Sequence, residues 1–272
     1  MKLRYLLPIA LLSALLAGCG AGGSDDDDSE QGQVRLINAT IDHDSLDTYV
    51  SDSRVITGVA AFYASDYISR DSGDTTFKLT ANGSTTSLLQ TTVSVSSDTK
   101  YALVAYSTAS EMKSLLITEN ESEPSSGYTK VRVINTSAEA GAVDLYLTGD
   151  SDDIASATAV ASNVSGTGSY VEVGKGTYRI RVTGYGDKTD LRLDIPSVTF
   201  GDKKILNLVL ARSKGGVLVN AILVPQQGIV TAMKNTYARM RVLADITSSG
   251  TVTASAGGVS LGSGLSSPAI GS

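Results

Sequence analysis

The feature that most constrains the fold of this chain is that it repeats itself. Val34-Arg35-Leu36-Ile37-Asn38 returns as Val131-Arg132-Val133-Ile134-Asn135, and at the same offset Asp47-Thr48-Tyr49-Val50 is answered by Asp144-Leu145-Tyr146-Leu147. Ser65-Asp66-Tyr67 matches Gly168-Ser169-Tyr170, Thr76-Phe77-Lys78 matches Thr177-Tyr178-Arg179, and Asp98-Thr99-Lys100 matches Asp202-Lys203-Lys204. Small insertions between the matches fall where loops vary. Met240-Arg241-Val242-Leu243 reopens the pattern, and Gly271-Ser272 stands opposite Gly168-Ser169, so the third copy is expected to be incomplete.

Within each copy the dominant period is two, the period of a half-buried strand. Tyr178, Ile180 and Val182 alternate with Arg179, Arg181 and Thr183; Leu191, Leu193 and Ile195 alternate with Arg192, Asp194 and Pro196; Phe77 and Leu79 flank Lys78, and Val93 and Val95 flank Ser94. Ile205 to Ala211 and Val217 to Val224 are nearly continuous apolar runs, as expected of strands covered on both faces or central in a sheet. Ala81-Asn82-Gly83-Ser84, Gly174-Lys175-Gly176 and Gly184-Tyr185-Gly186 have the composition of turns. Only Asp153 to Ala161 suggests helix, and one or two turns at most. About seven short strands in about 100 residues is the rhythm of an immunoglobulin-like β-sandwich, with a small β-barrel as the alternative. The expected fold is all-β, in tandem sandwiches.

The amino terminus carries an address. Lys2 and Arg4 precede an apolar run from Tyr5 to about Leu16 that is too short to span a bilayer, followed by Leu16-Ala17-Gly18-Cys19. The stretch resembles the signal peptide and lipobox of bacterial lipoproteins. That resemblance implies cleavage between Gly18 and Cys19, lipid on Cys19, and, with Gly20 rather than aspartate next, an outer-membrane destination in a Gram-negative host. Cys19 is the only cysteine, so no internal disulfide is available. The expected organisation is a signal peptide over 1–18, an acidic flexible tether over 19–32, sandwiches over 33–120 and 128–227, and an incomplete repeat over 237–272. Asp25 to Asp28 reads as self-repelling spacer, because consecutive carboxylates on an extended chain point in alternate directions. A formal charge of −6 without a basic patch argues against nucleic acid as a partner. Arg179, Arg181, Lys188 and Arg192 form the densest basic group, spaced as the outer face of strands would be.

The opening strand with Arg and Asn, the Asp-x-Tyr strand, the Ser-x-Tyr or Ser-Tyr step and the Asp-x-Lys-Tyr-x-Leu-Val strand together resemble the bacterial and archaeal domain of unknown function 4397. Two full copies are read at about 33–118 and 130–225. The resemblance implies secreted or lipid-anchored β-sandwich modules and brings no activity with it.

No catalytic set is found in the sequence. His43 is the only histidine, and its counterpart in the second copy is Ala140, so it is read as a loop imidazole rather than a metal or acid-base site. Ser97-Asp98-Thr99-Lys100 and Ser110-Glu111-Met112-Lys113 fit Ser-x-x-Lys but lack its partner motifs. Gly174-Lys175-Gly176-Thr177 lacks the spacing of a phosphate cradle and reads as a hairpin turn. Asp150, Asp152 and Asp153 are the one calcium candidate, without a bidentate glutamate at the expected distance; no other cofactor is expected. Arg35 with Asp47, and Arg132 with Asp144, are read as cross-strand ion pairs. Repeated tyrosines (Tyr49, Tyr67, Tyr146, Tyr170, Tyr178) are assigned to packing, and the unrepeated Tyr63, Tyr185 and Tyr237 to ligand contact. The expected function is a lipid-anchored cell-envelope protein whose stacked modules serve a structural, adhesive or ligand-binding role without catalysis, with a glycan or an envelope protein as partner. The alternative is a carbohydrate-active or metal-dependent envelope enzyme or its accessory subunit.

Overall fold

The computed structural model describes residues 30–214, 216–237, 242–245, 250–266 and 269–270. Gly18, Cys19, the signal peptide and most of the tether lie outside the described residues, as do Met240 and Arg241. Among the described residues no helix is long and apolar enough to cross a membrane.

The alternating segments of the first unit form β1 (Gln31–Ala39), β2 (Ser45–Val50), β3 (Ser53–Ala60), β4 (Ile68–Asp71), β5 (Gly73–Ala81), β6 (Ser87–Val95), β7 (Lys100–Ser107) and β8 (Met112–Thr118). The second unit repeats them as β9 (Tyr128–Asn135), β10 (Val143–Thr148), β11 (Ala161–Val164), β12 (Val171–Gly174), β13 (Gly176–Gly184), β14 (Asp187–Phe200), β15 (Lys204–Arg212) and β16 (Val219–Pro225). Sheet order repeats as well: β4-β1-β7-β8 and β3-β2-β5-β6 in the first unit, β12-β9-β15-β16 and β11-β10-β13-β14 in the second. β1 runs parallel to β7, and β9 to β15. Each sheet keeps two edges, so the units are sandwiches and not closed barrels. A further strand, β17 (Thr231–Met233), joins the edge at β16. Farther on, Thr251–Ala256 pairs with Val259–Ser266 as a hairpin.

Side chains of the first unit's two sheets meet in one core, with Val34, Leu36, Leu103 and Ala105 against Leu46, Phe77, Leu79 and Val93. The second unit does the same with Val131, Val133, Leu206, Leu208 and Leu210 against Leu145, Ile180, Val182 and Leu193. The residues between these, on the opposite face of the same strands, are apolar too. Ile37, Ala39, Ala102, Val104 and Ile117 pack on Ile134, Val209, Ala211, Ile222 and Val224 in a third buried layer shared by the units. The period of two therefore persists inside the continuous apolar runs, one set of residues facing each way. Both units contribute the same face, so the contact is a pseudo-two-fold one in which β7 lies against its equivalent β15. The protein is thus a four-layer stack of sheets, and its modules are joined flank to flank. Each large aliphatic side chain sealed between them contributes about 1.5–3 kcal/mol.

Two buried aspartates fasten the outer sheets, one in each. Asp47 Oδ1 accepts from the Gly58 amide at 2.7 Å, and its Oδ2 from the Gly83 amide at 3.1 Å. Asp144 repeats this with Asn163 at 2.9 Å and Gly186 at 3.0 Å. All four amides belong to residues with φ between 57° and 77°, so the carboxylates hold the left-handed turns that let neighbouring strands reverse or bulge. Burial opposes the charge of Asp47, but the amides of Gly83 and Gly58 and the Arg54 guanidinium outweigh it and hold the carboxyl below its ordinary range. Asp144 is likewise lowered against burial, by the Ser162 hydroxyl and the amides of Gly186 and Asn163.

Several expectations are corrected. Arg35 and Asp47 are not a cross-strand pair, nor are Arg132 and Asp144, because β1 and β2, like β9 and β10, lie in opposite sheets of their sandwich. Arg181 is buried rather than outward, bonding Thr148 Oγ1 and, at 2.7 Å, the Asp152 carbonyl of a loop that folds over its strand. Gly174-Lys175-Gly176 is not a hairpin turn: Lys175 crosses from one sheet to the other, as Ser72 does in the first unit, with its amide bonded to the Gly127 carbonyl. The match of Asp98 with Asp202 slips by one, since β-sheet register and positive φ make Lys203 its equivalent. The first strand begins at Gln31, two residues earlier than expected, because pairing with Asp71 and Arg70 uses backbone and needs no apolar side chain. Gly32 is required there, since a Cβ would stand 2.4 Å from the Ser96 carbonyl oxygen. The suggested helix is one 3-10 turn, Ile154–Ser156, capped by Asp153.

Candidate functional site, a pair of clefts beside the shared face

Arg35 lies on the shared face of β1, at the rim of the apolar layer, and is almost fully buried. Its guanidinium donates to the carboxylate of Glu119, whose side chain has no exposed surface, and to the carbonyls of Pro225 and Gly228 in the other unit. Tyr67 donates to the second oxygen of Glu119 and lies under both Arg35, at 5.0 Å from the ring centroid, and Lys100, at 5.1 Å. Burial first, and then the Glu119 carboxylate, push the Tyr67 phenol well above its ordinary range, so it stays a proton donor at neutral pH. Every strong acceptor in this knot has a donor. Within this knot and among the described residues, Arg35 Nε is left without a protein partner.

Above the knot is an open cleft of about 400 Å³ lined by Arg35, Tyr63, Ser65, Tyr67, Gly228 and Ile229, among others. Its walls come from the loop between β3 and β4 and from the turn after β16, so both units build it. Tyr63 is 61% exposed and Ile229 91% exposed. An aromatic and an aliphatic side chain thus project at the mouth, with hydrogen-bonding groups below.

The pseudo-two-fold axis gives this cleft a counterpart of about 250 Å³, lined by Arg132, Ile134, Thr167 and Tyr170 from the second unit and Leu115 to Thr118 from the first. Arg132 replaces Arg35, Tyr170 replaces Tyr67, and Asn207 supplies the acceptor: Arg132 Nε donates to it at 2.5 Å and Tyr170 at 3.0 Å, while the guanidinium stacks 4.3 Å from the Tyr170 centroid. Burial raises the Tyr170 phenol despite the nearby Arg132.

Of the residues singled out from the sequence, Tyr63 lies in a cleft, whereas Tyr185 and Tyr237 are exposed but line neither of the two clefts. Tyr67 and Tyr170, whose repetition predicts packing, form the cleft floors. The signal that points to them is the joint recurrence of the tyrosine of Ser65-Asp66-Tyr67 and Gly168-Ser169-Tyr170 with the Arg of the opening strand. Asp152 accepts from the Gly149 amide at 2.7 Å and Asp153 from the Ala155 amide at 2.9 Å, while Asp150 offers its backbone carbonyl to Arg179. Among the described residues no three His, Cys, Asp or Glu side chains are gathered as a metal site. His43 is half-buried, and its carbonyl accepts from Asn38 and Thr40.

Comparison with known proteins finds that residues 32–146 match the model of a domain of unknown function (DUF4397). No curated protein sequence matches the chain. Among solved structures, a family 26 carbohydrate-binding module from Eubacterium rectale Amy13K, in complex with maltoheptaose, aligns at 10% identity and a TM-score of 0.23, over 76% of this chain and 98% of that one. A streptococcal virulence factor described by its alpha-glucan binding aligns at 13% identity and a TM-score of 0.24, over 65% of this chain and 93% of that one. The glycogen-degrading pneumococcal virulence factor SpuA aligns at 10% identity and a TM-score of 0.23, over 77% of this chain and 27% of that one. Likeness at this level says nothing of what this chain binds.

Proposed function

We propose that this protein is a non-catalytic ligand-binding component of the bacterial cell envelope, anchored through lipid on Cys19, whose two sandwiches act as one rigid block. The observation that carries the binding role is the cleft with Tyr63 and Ile229 exposed at its mouth. Isolated exposed apolar residues are ordinary, but an aromatic and an aliphatic side chain over a hydrogen-bonding floor form a surface suited to a partly apolar, hydroxyl-rich molecule. A glycan has that chemistry: an apolar sugar face for Tyr63, and hydroxyls for the polar groups of Ser65 and Asp66. The lipid anchor rests on the lipobox sequence alone.

A glycan array followed by titration calorimetry on the mature protein tests this. Tyr63→Ala is expected to weaken the best glycan at least tenfold, about 1.4 kcal/mol, with the melting temperature unchanged. Tyr185→Ala is expected to leave affinity as it was. Turnover of any array member, lost in Asp66→Asn, would instead identify an enzyme.

A further inference from the structure

We propose that the free edge of β8, over residues 114–116, accepts an extended peptide from a partner protein as an added antiparallel strand. This site is separate from the Tyr63 cleft and does not depend on the reading given to it.

The internal pseudo-symmetry supplies a template for the occupant. β8 and β16 are equivalent last strands of equivalent sheets, and β16 carries β17 along its outer edge, with Ala221 opposite Met233, Ile222 opposite Ala232 and Leu223 opposite Thr231. β8 ends its sheet, and among the described residues no strand lies beyond it. Burial records the difference at the residues concerned. Ala221, Ile222 and Leu223 are buried, whereas their counterparts Ser114, Leu115 and Leu116 are each only partly buried. The flanking pairs agree, since Met112 and Val219 are both buried, as are Ile117 and Val224. Among the described residues, repeat 1 therefore has the strand but not the cover that repeat 2 provides for itself.

Register determines which backbone groups are on offer. The Glu119 amide donates to the Lys100 carbonyl at 2.8 Å, as the Gln226 amide does to the Ile205 carbonyl at 2.9 Å in the second unit. Alternate residues going back along β8, namely Ile117 and Leu115, thus bond β7, and Leu116 and Ser114 direct their N–H and C=O groups away from it. Their counterparts Leu223 and Ala221 use those groups on β17. A groove runs along this edge, lined by Leu115, Leu116, Ile117 and Thr118 and closed on its far side by Arg132 and Tyr170. At the matching place beside β16 the chain lays down its own Ile229 and Val230 before entering β17.

The occupant follows from the same template. Val230 packs on the shared apolar layer and Met233 is buried in the second core, so the partner strand carries an apolar residue facing Ile117 and another three positions on, opposite Ser114. Main-chain bonds supply affinity and these two side chains select the sequence. An uncharged peptide fits, because the template segment over residues 228–233 carries no charge; Lys113, one residue outside the open stretch, is paired with Glu111 at 2.9 Å.

The experiment uses the mature protein and a fluorescent synthetic peptide with the sequence of residues 228–233, read by anisotropy and by hydrogen exchange. Saturable binding is expected, with the amides of Ser114 and Leu116 gaining protection of tenfold or more while those of Leu115 and Ile117 stay as they were. Leu116→Pro removes one outward N–H without touching the bonds to β7, and is expected to weaken the peptide at least tenfold. Ser114→Lys, which keeps the backbone intact, is expected to do the same. Binding unaltered by both variants, or absent at millimolar peptide, would overturn the proposal. So would protection of Ser114 and Leu116 before peptide is added: independent of protein concentration it would show the chain filling its own edge, and rising with concentration it would show a second copy there.

Discussion

Replacing Arg35 with methionine is expected to lower unfolding stability by about 3–5 kcal/mol, the largest effect of any single substitution considered, because it strands the fully buried carboxylate of Glu119. Urea unfolding at neutral pH measures it. The loss does not reflect the worth of the ion pair itself, since two desolvated charges about offset their attraction. Removing both, in Arg35→Met with Glu119→Leu, is therefore expected to restore most of the stability. A double variant no better than the single one would mean that the bonds from Arg35 to the Pro225 and Gly228 carbonyls, and not the carboxylate, carry the effect. Either way the consequence reaches both units, because a side chain of β1 is held by backbone that follows β16.

Asp47→Ala and Asp144→Ala are each expected to destabilise by about 2–4 kcal/mol, since each leaves two amides of left-handed turns without an acceptor. The same carboxylates set an acid limit. Both are held below the ordinary aspartate value near 3.9, so the unfolded chain binds protons first as pH falls. Their contribution is complete above about pH 4 and is lost as pH drops through the lower folded values. Thermal melts from pH 6 to pH 2 are expected to show a steep decline below about pH 4, flattened in Asp47→Asn and Asp144→Asn. A melting temperature equally acid-sensitive in both variants would remove these residues from the explanation.

Local structure was legible because side-chain alternation is a property of one strand. Tyr178 to Thr183 reads correctly as a strand, though not in the burial of Arg181 and Thr183, and Ile205 to Ala211 reads correctly down to its two-faced burial. What the sequence withheld is which strands become neighbours. Arg35 and Asp47 recur together because each is anchored in its own sheet, the one on the shared face and the other under two turns, and co-recurrence mimics contact. Arg181 alternates as an outward residue and is buried by a loop, whose path no periodicity reports. The shared layer was hidden for a related reason: a sheet's second apolar face announces that something covers it and does not say what. Repetition alone does not place Tyr67 and Tyr170 in clefts, because duplication repeats a cleft-lining position as faithfully as a core one.

The two sandwiches form one block through the face that joins β7 to β15. Native-state hydrogen exchange on the mature chain tests it directly, at the amides of Val104 and Val209, which lie opposite Leu115 and Ile222 in the two units. The expected result is that Arg35→Met lowers the protection of both amides by the same free energy. Protection lost at Val104 with Val209 unchanged would contradict a shared core and leave two modules that merely follow one another along the chain.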